Sequence, residues 1–183
     1  ILVGLYKFGI TANQITVSSI VLSFFIGVSL WFHPDYRLGL LVVPIGLLLR
    51  MALNALDGMM ARTYNMQSKL GEVLNEIGDV ISDLFIFIPM TQIKGLNHEL
   101  LAFFIGLSII NEFAGFMGKL IGKERRYDGP MGKSDRAFLV GIICCILFFR
   151  PIDLIIINSI FIGASALIVL STVIRLKKGL RDG

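Results

Sequence analysis

Four side chains in this sequence have the types and spacing to do chemistry: Asn54, Asp57, Asn75 and Asp79. Asp57-Gly58-Met59-Met60-Ala61-Arg62 is followed by Gly71, Asn75 and Asp79, a passage that reads D-G-x2-A-R-x8-G-x3-N-x3-D. Carboxylate and amide oxygens suit hard divalent cations such as Mg2+, Mn2+ or Ca2+. A cation beside a carboxylate suits phosphoryl chemistry, because the ion neutralises phosphates while the carboxylate receives a hydroxyl proton. The passage lies between apolar segments, where polar groups are costly and are functional candidates by default.

Helical geometry gathers these groups onto faces. Arg50, Asn54, Asp57 and Ala61 are spaced by four, three and four residues, which is one side of a helix. At about 100° per residue, Glu72, Asn75, Glu76, Ser82 and Asp83 fall within roughly 60° of Asp79. The short link at 62–70 predicts that the two helices are antiparallel neighbours enclosing a cleft lined by Asn54, Asp57, Asn75 and Asp79. Gly58 and Gly71 would let a nucleotide approach the backbone, although Gly71 also suits close helix packing. Arg62 either meets a phosphate or extends to the membrane surface.

Composition calls for a membrane to surround this cleft. The chain has 183 residues, 55% hydrophobic and 16% charged, with a mean hydropathy of +0.80. A soluble domain of this size carries far less apolar sequence. Apolar runs at about 15–33, 38–60, 71–93, 99–120, 136–150 and 152–174 predict six crossings, the fifth short for a span. Short links predict one domain over 1–183, with 1–10 a juxtamembrane segment and 11–183 a six-helix bundle. Apolar Leu2 to Phe8 predicts a short helix lying on the membrane surface. Thr11 and Gln14 have the form of a capping box at the first span. The chain opens on Ile1 and is read as trimmed.

Lys7, Arg62, Lys69, Lys119, Lys123, Arg125, Arg126, Lys133 and Arg136 fall, with a Lys/Arg-rich tail, on the side of the motif. Only Arg37, Lys94 and Arg150 fall on the other. This bias predicts a multi-pass protein of the bacterial inner membrane with both termini and the site in the cytoplasm. It also accounts for the net charge of +4 without a nucleic-acid partner, for which no aromatic-interleaved basic groove exists. Adjacent Cys144 and Cys145 suit neither a disulfide nor a zinc site, and His33 and His98 lie in links away from the motif.

The passage resembles the signature of the CDP-alcohol phosphatidyltransferases, D-x2-D-G-x2-A-R-x8-G-x3-D-x3-D, and the resemblance extends over the six-span layout. It is nearest a bacterial inner-membrane subgroup with the strings N-A-L-D-G, here Asn54 to Gly58, and L-N-E-x-G-D-V-I-S-D, here Leu74 to Asp83. The resemblance implies an all-α membrane fold and a homodimer. It implies transfer of a phosphatidyl (phospho-alcohol) group from a CDP-linked donor, such as CDP-diacylglycerol, to a hydroxyl acceptor, with release of CMP, in phospholipid biosynthesis. One or two Mg2+ or Mn2+ ions are implied as well.

By the same resemblance Asp57 is a metal ligand, and Asp79 is the general base beside the metal. Gly58, Ala61, Arg62 and Gly71 match donor-binding positions, and Lys133 and Arg136 suit an anionic group on the acceptor. The departures are Asn54 and Asn75, which stand where the family has aspartates that bind metal and donor. Two negative charges are thereby lost from the cleft. Three consequences follow as alternatives: altered ion number or affinity, recruitment of Glu72, Glu76 or Asp83 as ligands, or a catalytically silent protein that only binds CDP-lipid or nucleotide. Glu112, inside the fourth apolar run, needs a partner, and Arg50 is the candidate.

Overall fold

The structure is a computed structural model and describes residues 1–32, 37–122, 124–149 and 153–182. The expectations placed on His33, Lys123 and Arg150 fall outside the described residues. Helix α1 (Leu2–Lys7) leads to α2 (Ala12–Phe32), α3 (Arg37–Thr63), α4 (Lys69–Phe87), α5 (His98–Ile121), α6 (Lys133–Phe149) and α7 (Leu154–Asp182), with a 3-10 turn at Ile88–Gln92. No strand occurs among the described residues.

Local chemistry sets the helix ends. Thr11 and Gln14 form the expected reciprocal cap. The Thr11 N–H donates to Gln14 Oε1 at 2.9 Å, and the Gln14 N–H donates to Thr11 Oγ1 at 3.3 Å. Ser68 caps α4 by accepting from the Gly71 N–H, and Asn97 caps α5 by accepting from the Leu100 N–H. The expected third span does not run to residue 93 as one helix. Pro89 has no N–H to continue the α-helical hydrogen-bond ladder, so α4 ends at Phe87 and a 3-10 turn follows. Helix α6 starts at Lys133, and Asp135 in its first turn accepts from the Gly132 N–H at 3.1 Å.

Among the described residues, four helices are long and apolar enough to cross a membrane: Ala12–Phe32, Gly39–Thr63, His98–Ile121 and Leu154–Asp182. The other two long helices fall short for visible reasons. Helix α4 carries Glu72, Glu76, Asp79 and Asp83, and α6 has only 17 residues. Phe25, Leu48, Phe103 and Ile155 are all more than half exposed. Apolar groups facing outward in such number suit hydrocarbon rather than water.

Among the described residues four pairings build the bundle: α5 on α7, α3 on α6, α2 on α3 and α2 on α4. The rings of Phe87, Phe104 and Phe161 run through the core at centroid separations of 5.7 and 5.1 Å. Tyr6 stacks on Tyr64 at 3.9 Å, which pins α1 beside the end of α3. Helices α3 and α4, expected as neighbours around a cleft, line one cavity together, while few direct contacts join them and α2 packs against both. Facing rows of acids and amides cannot close into a dry interface, so the helices splay and a cavity remains between them.

Candidate active site

That cavity holds about 820 Å3. Asn54, Asp57, Gly58, Ala61 and Arg62 enter it from α3, Gly71, Glu72 and Asn75 from α4, and Thr16 from α2. The Arg62 guanidinium turns back over Gly58, 3.6 Å from where a Cβ would sit. A Cβ on Gly71 would lie 2.6 Å from Asn13 Oδ1. Gly71 therefore serves close packing and opens the cavity at once.

The α2 helix supplies hydroxyls that the sequence reading missed. Thr16 Oγ1 donates to Asp57 Oδ2 at 2.8 Å, and Ser19 Oγ donates to Asn54 Oδ1 at 2.8 Å. Each holds one oxygen of a candidate ligand in place. A signal for them exists, since Thr16, Ser19 and Ser23 recur on one buried face of α2.

A second cavity of about 380 Å3 lies under the link between α5 and α6. Asp79, Glu112, Arg125 and Lys133 line it, and Asn54 and Asn75 form a wall common to both cavities. The Lys133 ammonium pairs with the Asp79 carboxylate, so a cation from the start of α6 reaches the candidate base. Arg136 does not line this space. Its side chain is fully buried, donating to Glu112 Oε1 at 2.7 Å, Asp83 Oδ2 at 3.2 Å and the Met131 carbonyl at 3.1 Å.

The expected partnership of Arg50 with Glu112 is corrected. Arg50 instead holds Asp83 Oδ1 at 2.7 Å and donates to the Asp79 carbonyl at 3.2 Å. Glu112 is held by Arg136 and by Arg125 at 2.7 Å. The three candidate substitute ligands each face a cation: Glu72 pairs with Lys119, Glu76 with Arg125, and Asp83 with Arg50 and Arg136. Among the described residues, no three His, Cys, Asp or Glu side chains converge to hold an ion by themselves. A cation here would draw on the amides of Asn54 and Asn75 beside Asp57 and Asp79. Such a mixed set of oxygen donors fits one hard ion.

The link over the second cavity is clasped to α7. Ser171 Oγ and Arg175 Nε donate to the Asp128 carbonyl at 3.0 and 3.2 Å, and Lys178 pairs with the Asp128 carboxylate. The Lys178 hydrogen bond holds that carboxyl below the usual carboxylate range. Gly129, at φ +92°, lies so close to Ser171 that a Cβ would meet its Cα at 2.7 Å.

Apolar helices long enough to cross a membrane surround two polar cavities that share a wall of amide side chains. The sequence matches the CDP-alcohol phosphatidyltransferase family over residues 9–174, and the chain belongs to that family. It is 45% identical over 138 residues to the inner membrane protein YnbA of Escherichia coli (strain K12), covering 75% of this chain and 68% of that protein.

The fold is similar to that of Mycobacterium tuberculosis phosphatidylinositol phosphate synthase, PgsA1. Against its complex with manganese and citrate, the TM-score is 0.78 at 18% identity, covering 97% of this chain and 86% of that one. Against its CDP-DAG-bound structure, the TM-score is 0.74 at 19% identity, covering 99% and 90%. At these identities the likeness establishes the fold.

Proposed function

We propose that this chain transfers a phosphatidyl (phospho-alcohol) group from a CDP-linked donor, CDP-diacylglycerol, to a hydroxyl acceptor and releases CMP in phospholipid biosynthesis. The shared wall carries this reading. Asp57 borders only the larger cavity and Asp79 only the smaller, while Asn54 and Asn75 border both. A donor lying along Asp57 and an acceptor lying against Asp79 would meet at those two amides. PgsA1, of the same fold, is seen with CDP-DAG and with manganese, which supports the choice of donor and of cation.

In this reading Gly58, Ala61 and Gly71 admit the nucleotide, and Arg62 faces the diphosphate. A Mg2+ or Mn2+ ion would be held by Asp57, Asn54, Asn75 and Asp79 and would neutralise the diphosphate charge. The acceptor oxygen attacks the phosphorus that bears the lipid, and its bond to that phosphorus forms. The bond from that phosphorus to the bridging oxygen breaks, and CMP departs with the electron pair. Asp79 takes the hydroxyl proton. Lys133 pairs with Oδ1 of that carboxylate and holds it toward the smaller cavity.

The proposal extends to six crossings that include α4 and α6, a site and both termini on the cytoplasmic face of the bacterial inner membrane, and a homodimer. The test is CMP release from CDP-diacylglycerol with Mn2+ or Mg2+ over a panel of alcohols. Asp79→Ala should lower turnover by about 100-fold or more while donor binding persists. Undiminished turnover in that variant removes Asp79 as the base.

A further inference from the structure

The cavity beneath the α5–α6 link is balanced in charge. Among the described residues, Arg125, Lys133 and Arg175 line it against Asp79, Glu112 and Asp135. The charged groups behind them, Arg50 and Arg136 against Glu76 and Asp83, balance as well. None of the three lining cations is without a partner. Lys133 pairs with Asp79, and Arg125 pairs with Glu76 and Glu112. Arg175 donates to the Asn111 carbonyl at 2.8 Å and the Asp128 carbonyl at 3.2 Å, with Glu112 at 3.8 Å.

A phosphomonoester entering this space would bring about two negative charges. To be held it would have to draw Lys133 from Asp79, or Arg125 or Arg175 from contacts that include Glu112, whose side chain is 7% exposed. Breaking one partner out of a buried ion pair is strongly unfavourable, because the other charge is left uncompensated. Uncharged hydrogen-bonding groups are present without such a rearrangement: Tyr127, Ser134, Asn54 and Asn75 also line the cavity.

We infer that the acceptor is a small uncharged, hydroxyl-rich alcohol rather than a phosphorylated one. Glu112 is the specificity-determining residue, since its carboxylate cancels the arginines that would otherwise hold an anion. This rests on the transferase reading above and departs from the expectation that Lys133 and Arg136 grip an anionic acceptor group.

The experiment compares matched acceptors on the protein in nanodiscs with CDP-diacylglycerol and Mn2+: glycerol against glycerol 3-phosphate, and inositol against inositol 1-phosphate. CMP release should favour the uncharged member of each pair by about 100-fold, and an equal or reversed preference overturns the inference. Glu112→Gln should shift the preference toward the phosphorylated member. Glu76→Gln, at a less buried site, should do so to a smaller degree and serves should the first variant fail to fold. If no acceptor releases CMP, the transferase reading fails, and the cavity is then read by hydrogen exchange over residues 126–135. Protection by the uncharged alcohols alone supports the inference; protection by the phosphorylated ones, or by neither, overturns it.

Discussion

The ammonium of Lys133 rests on the carboxylate of Asp79, 54 positions earlier in the chain. Through this contact the first residue of α6 reaches the middle of α4 and joins the roof of the smaller cavity to its candidate base. The neighbouring ion pairs have the same long-range character: Arg50 with Asp83, and Arg136 with Asp83 and Glu112, bind α3, α4, α5 and α6. Buried charges of this kind are held in place by one another, so substitution of one acts on several helices.

Thr16 orients Asp57 through a single hydroxyl. Thr16→Val keeps the shape and removes that donor. Mn2+ affinity, measured by electron paramagnetic resonance titration, should fall by about 10-fold or more, with little change in fold. Unchanged affinity would mean that the hydroxyl does not position the ligand.

Asn54 and Asn75 bring amides rather than carboxylates to the wall common to both cavities. Asn54→Asp with Asn75→Asp should raise divalent-ion affinity on the order of tenfold. CMP release by the unaltered protein is expected without these changes. Release that appears only in the doubly substituted protein would instead identify a natural binder of CDP-lipid or nucleotide.

Gly129 combines positive φ with contact against Ser171. Gly129→Ala should cost about 2 kcal/mol and loosen the link. Thermal unfolding in detergent, together with proteolysis within residues 124–132, measures both effects. Wild-type resistance in both assays would contradict the close approach.

The clasp of Asp128 by Lys178 has a pH signature. The folded carboxyl titrates below its unfolded value, so its stabilising effect is present above about pH 4. The effect is lost as pH falls through the folded value. Hydrogen exchange of residues 124–132, corrected for intrinsic rates, should quicken on acidification. Lys178→Met should be fast already at neutral pH and insensitive to that change.

Local patterns carried much of this protein into view. The capping box at Thr11 and Gln14, the apolar runs and the face shared by Asn54 and Asp57 follow from residues a few positions apart, where helical periodicity is strict. The family signature is equally local, because its spacing is a helix–link–helix repeat. Less legible were the ends of α4 and α6, where Pro89 and the Asp135 contact to Gly132 moved the boundaries.

By itself, then, the sequence determined a helical membrane-type chain, its family, and the oxygen-bearing residues that face its cavity. Only the tertiary structure decided that α2 packs against both α3 and α4, that Thr16 reaches Asp57 across 41 positions, and that Glu112 neutralises arginines from three separate segments. The physical reason is that periodicity says which way a side chain points along its own helix, whereas packing chooses which distant helix it meets. Charge balance in a cavity is a property of all those meetings together and leaves no trace in any one stretch of sequence.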